Sequence, residues 1–141
     1  MSATGLEVFD STLQKTNTWL KEIMGELSTE DRHLAYEALR ATLHAVRDRL
    51  TVNEAADLGA QLPMLIRGFY YEGWQPSGKP HRIGAGEFLT LIRTQVGRGV
   101  GGPHPREVLH AVFRVIELHV TPGELKDVKS CLPEELRELW P

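Results

Sequence analysis

One cysteine in 141 residues leaves the chain little thiol chemistry. No intrachain disulfide can form, and no cage of thiolates can hold a metal. Cys131 follows the apolar register of Leu125, Val128 and Leu132. That is the setting of a buried, inert thiol, because a reactive cysteine needs an electropositive, partly exposed site. Long apolar runs are also missing. No stretch approaches the roughly 20 apolar residues that cross a bilayer, so no membrane partner is expected. The opening MSATGLEVFDSTLQK has neither the positive n-region nor the apolar h-region of an export signal, and the expected location is cytoplasmic.

What is present is ordinary for a globular domain: 41% hydrophobic and 25% charged residues, in a length that buries a substantial core. The net charge of −3 is unevenly spread. Between Gln75 and Arg106 stand Lys79, Arg82, Arg93, Arg98 and Arg106 against the single anion Glu87. This basic strip suits an acidic partner, whereas cations scattered over loop and helix also serve as plain solvated surface.

Slid against itself by 70 residues, the sequence matches without gaps from Tyr36 to Tyr71. Glu37 pairs with Glu107, Leu39 with Leu109, Ala41 with Ala111, Thr51 with Thr121, Glu54 with Glu124, Leu62 with Leu132, Pro63 with Pro133 and Arg67 with Arg137. Upstream, the segment of Leu20 and Met24 resembles that of Ile92 and Val96 at an offset of 72, with Gly97 matched to Gly25 at a helix end. Leu39, Leu43, Val46 and Leu50 follow a helical stripe that the second copy repeats. Thr51 to Glu54 and Thr121 to Glu124 read as capping boxes, in which each glutamate reaches back to the cap amide. Pro63 and Pro133 then open another helix. The expected fold is an all-α helical bundle of two tandem four-helix repeats related by an approximate internal two-fold. Its segments are a flexible N-terminus (1–8), repeat one (9–74), a Gly- and Pro-rich connector (75–85) and repeat two (86–141), with 9–141 forming a single domain.

The run LRATLHAVRDRLTVNEAADLGAQLPMLIRGFYYEGW, with its Arg-x-Arg-Leu step, Gln-Leu-Pro break and Tyr-Tyr-Glu-Gly-Trp ending, resembles a bacterial family known as domain of unknown function 2267. The second copy, ending CLPEELRELW, is similar to that family's second half. The resemblance covers most of residues 9–140 and implies an α-helical domain without an assigned activity; it supplies no catalytic residue.

The residues point to no chemistry. Glu107 and His110 have the Glu-x-x-His spacing of di-iron bundles, but the matching stretch ends in Arg40, and His33, His44, His81, His104 and His119 show no ligand spacing. No serine sits in a nucleophile elbow, and Cys131 has no base beside it. The glycines from Gly97 to Gly102 lack the strand before and the Lys-Ser/Thr after that a phosphate loop needs, and read as a helix-ending loop. Glu54 to Gly59 has helix-turn-helix spacing, yet the following helix is apolar in one copy and carries Glu134, Glu135 and Glu138 in the other, which would repel phosphates. DNA binding is therefore disfavoured, and no cofactor, metal or catalytic residue is assigned.

Two functions remain. One is a non-catalytic helical protein-interaction or scaffold module, binding a protein partner or a second copy through Tyr71 and Trp74 and an acidic partner through Arg82, Arg93, Arg98 and Arg106. The alternative is a small-ligand-binding protein with a pocket between the repeats.

Overall fold

The computed structural model describes residues 2–98 and 101–140. Gly99 and Val100, in the glycine-rich loop, lie outside the described residues. Eight helices make up the described chain: α1 (Glu7–Leu27), α2 (Arg32–Arg49), α3 (Val52–Ala60), α4 (Met64–Tyr71), α5 (Ala85–Val96), α6 (Pro105–His119), α7 (Pro122–Ser130) and α8 (Glu134–Arg137). No strand occurs among the described residues, so the fold is an all-α bundle.

The helix bounds follow from local chemistry. Thr51 Oγ1 accepts the Glu54 amide at 3.2 Å, and Thr121 Oγ1 accepts that of Glu124 at 3.4 Å, which starts α3 and α7 as N-caps. Only this half of each expected capping box forms. The Thr121 amide is taken by Gln61 Oε1 at 2.8 Å, and neither glutamate carboxylate reaches back to the amide of its cap residue. At the other end, Arg67 donates to the Gly59 and Leu62 carbonyls, and Arg137 to those of Leu132 and Ser130. Each arginine satisfies carbonyls that a finishing helix leaves open.

The end of α1 departs from expectation. The helix continues through Gly25 to Leu27, and Ser28 takes the left-handed conformation at φ 53°. Its amide bonds to Gly25 O and that of Thr29 to Met24 O, the Schellman arrangement. Gly97, with φ 67°, closes α5 in the same conformation. Gly97 thus corresponds to Ser28 and not to Gly25. A slip of three residues is nearly one helical turn, so it leaves the apolar phase almost intact and the sequence match cannot detect it.

α2 and α6 lie at the centre and pack on each other. Around them, α1 packs on α2 and α6, while α5 packs on α6 and α2; α3 meets α7. Leu39, Leu43, Val46 and Leu50 are buried, as are Leu109, Phe113, Ile116 and Val120 at the matching positions. Tyr70 and Trp140 close the two ends of this core; the Tyr70 hydroxyl donates to Ala55 O at 2.7 Å, and Trp140 stacks on Phe113.

Between α4 and α5 the connector is held by the Arg-x-Arg-Leu step. Arg47, buried, donates to the Tyr70 and Glu72 carbonyls and to Asp48, Arg49 donates to Ile83 O, and Asp48 O accepts the His81 amide. His44 is also buried. Its Nε2 lies 2.6 Å from Phe69 O, so that nitrogen carries the hydrogen.

Candidate functional site

Phe9 and Leu13 on α1 and Met64 and Leu65 on α4 are 48%, 37%, 42% and 41% exposed. With half-buried Phe69 they line two adjoining grooves of about 540 and 560 Å3 that share Leu13, Leu65 and Phe69. Phe9, Leu13, Thr16 and Leu20 place the lining on one face of α1 at helical spacing. At 1.5 Å per residue, the stretch from Phe9 to Leu20 is about 17 Å long, or three helical turns. Arg32 and His33 border the groove at the Leu20 end, and Thr4 and Glu72 border it beside Phe9. In the matched second copy, Glu134 and Glu135 stand where Met64 and Leu65 stand here. The shared helical unit therefore does not need these two apolar side chains.

The residues singled out from sequence are distributed differently. Tyr71 and Trp74 are half-buried, pack against the core, and touch each other with ring centroids 5.4 Å apart. The Tyr71 ring lies across α3 at Gly59, where it would collide with any β-carbon. Arg98 is engaged within the molecule, bridging to Glu37 at 2.7 Å and Asp31 at 3.1 Å. Arg93 joins Arg98 at a small cleft beside Val96 and Pro105, whereas Arg82 lies in the connector and Arg106 in the first turn of α6. Arg82, Arg93 and Arg106 make no ion pair among the described residues. Cys131 is half-buried as the cap residue after α7. Glu107 and His110 do not act together; His110 Nδ1 meets the Leu139 carbonyl instead.

A second cluster was not anticipated. Glu54 and Asp57 on α3 and Glu124 on α7 each bring a carboxylate oxygen within 4.8 Å of the others. Burial, reinforced by the charges of Glu54, Asp57 and Asp127, pushes the Glu124 carboxyl up to about 7, and burial likewise raises Glu54. The sequence did contain a signal for it. Glu54 and Glu124 are a matched identical pair, and a contact between α3 and α7 brings such a pair face to face.

No curated protein matches the chain. The family model described as "Uncharacterized conserved protein (DUF2267)" matches residues 16–139, which include the α3–α7 carboxylates and α4 but not Phe9 and Leu13 of the groove, and the chain belongs to that family.

Proposed function

We propose that the protein is a non-catalytic helical interaction module whose α1–α4 groove receives an amphipathic helix of a partner protein. The observation that carries this is the exposed set Phe9, Leu13, Met64 and Leu65, replaced at two matched positions by glutamate in the other copy. Exposed apolar surface that the fold does not require is a mark of a binding face. The occupant follows from the dimensions: a three-turn helix presenting apolar anchors at i, i+4 and i+7 covers about 17 Å and fills such a groove. Arg32 and His33 at one end favour the negative end of that helix dipole and acidic side chains near it. Arg82, Arg93 and Arg106, exposed and without an ion pair among the described residues, are available to acidic partners outside the groove.

The small-ligand reading has less support. The cleft that touches both halves, lined by Lys15, Thr18, Trp19, Gln61, Pro63 and His119, holds about 220 Å3. That is below the roughly 300–1,000 Å3 usual for ligand sites.

The test is selection from a library of helical peptides, followed by titration of the selected peptides into wild-type protein and Leu65→Glu. Peptides that bind the wild type and lose at least about tenfold in affinity to Leu65→Glu, with the melt unchanged, support the reading. Peptides indifferent to Leu65→Glu overturn it. So does wild-type self-association that this substitution abolishes, which would assign the groove to a second copy.

A further inference from the structure

The acidic cluster between α3 and α7 lacks a cationic partner among the described residues. Glu54, Asp57, Glu124 and Asp127 make no salt bridge among the described residues, and no arginine or lysine contributes to the environment of Glu54 or Glu124. The Glu124 side chain sits in a residue only 8% exposed, and its Oε1 is fully enclosed without a hydrogen-bond partner. Glu54 Oε2 is enclosed and unpartnered in the same way. A buried carboxylate oxygen with no partner is costly, and two facing each other are costlier. Glu54 has a local alternative, since a glutamate at this position of a capping box ordinarily folds back onto the cap amide, whereas the Thr121 amide that Glu124 would meet is taken by Gln61. Both turn into the space between the helices.

We propose that Glu54, Asp57 and Glu124 bind one hard divalent cation of calcium's size, which bridges α3 and α7. The donor set is all carboxylate oxygen, the preference of calcium, magnesium and manganese rather than of softer metals. Oxygens on opposite sides of calcium stand about 4.6–5.2 Å apart, against about 4.0–4.2 Å for magnesium. The three oxygens lie within 4.8 Å of one another, a range that calcium spans throughout without drawing the helices together and magnesium spans only in its shorter part. Asp57 is exposed, so the ion enters from its side and keeps water in its remaining positions. Glu54 and Asp57 come from the first half and Glu124 from the second, so the ion ties the halves to each other.

Calcium alone, titrated calorimetrically into metal-stripped protein at pH 7.5, is expected to bind one ion per chain and to raise the melting temperature. Glu124→Gln is expected to weaken binding at least about tenfold while melting no lower than metal-free wild type, because it removes an unpaired charge. Asp57→Asn, altering an exposed side chain, tests the same site if Glu124→Gln does not fold. Glu134→Gln, outside the cluster, should bind calcium as the wild type does. Absence of binding up to millimolar calcium overturns the proposal and leaves a proton shared between Glu54 and Glu124. Binding that survives both Glu124→Gln and Asp57→Asn also overturns it.

Discussion

The ring of Tyr71 occupies the space that a β-carbon on Gly59 would need. Gly59 lies within α3, where alanine would normally be favoured by up to about 1 kcal/mol. Gly59→Ala is nevertheless expected to destabilise the protein by about 1–3 kcal/mol through overpacking. In a Tyr71→Ala background the sign should reverse, because the obstacle is gone and only the helix preference remains. Urea unfolding of the two single variants and the double variant completes the cycle. Additive costs would show that the two residues are not coupled.

Thr51→Ala and Thr121→Ala should each lose an N-cap, at about 1 kcal/mol. Thr121→Ala is expected to cost more, because Thr121 Oγ1 also accepts from Gln61 Nε2 at 3.0 Å. Cys131 stands in the second copy where Gln61 stands in the first, and Thr51 has no such hydrogen bond. Chemical denaturation of both variants compares the costs directly, and equal losses would remove the Gln61 link as a contributor.

His44 predicts a pH dependence. Burial lowers its pKa, with Arg47 and Arg40 acting in the same sense against the opposing hydrogen bond to Phe69 O. The folded protein thus binds fewer protons at this site than the unfolded chain. Stability from His44 is fully present above about pH 6.5, the unfolded value, and declines as pH falls from there through the lower folded value. Melting curves from pH 8 to pH 5 should show this decline, and it should shrink in His44→Gln. A profile identical in the two proteins would assign the acid sensitivity to other groups.

Trp74→Ala separates the fold from the groove. Trp74 is half-buried against the core and Tyr71, so its loss is expected to cost about 2–4 kcal/mol while leaving peptide binding at Leu65 unchanged. Reduced peptide affinity with an unchanged melt would place Trp74 in the binding face.

The helices were legible where one physical rule decided them. The stripe of Leu39, Leu43, Val46 and Leu50 marked α2, and the threonines marked the starts of α3 and α7, because capping is a local matter of a few residues. The end of α1 was missed because a slip of one turn hardly alters an apolar pattern. Met64 and Leu65 belong to a helix that is largely apolar in sequence, and only the structure shows that these two face outward. The burial of Arg47 is not legible in sequence, since the carbonyls of Tyr70 and Glu72 that it serves are 23 and 25 residues away. Glu54 and Glu124 read as the capping-box partners of Thr51 and Thr121 because that rule is local, whereas their actual setting depends on two helices meeting.

α1 packs on α2 of its own half and on α6 of the other, and α5 on α6 of its own half and on α2 of the other, so the first helix of each half bridges both. Such bridging makes the two halves a single packing unit. The connector from Glu72 to Gly84 is then a tether more than a structural member, apart from the anchors at Arg47 and Arg49. A chain cut within it, between Gln75 and Gly78, would still be clasped by helices from both pieces. The fragments should therefore remain together, and neither alone could bury the helix faces that the other covers.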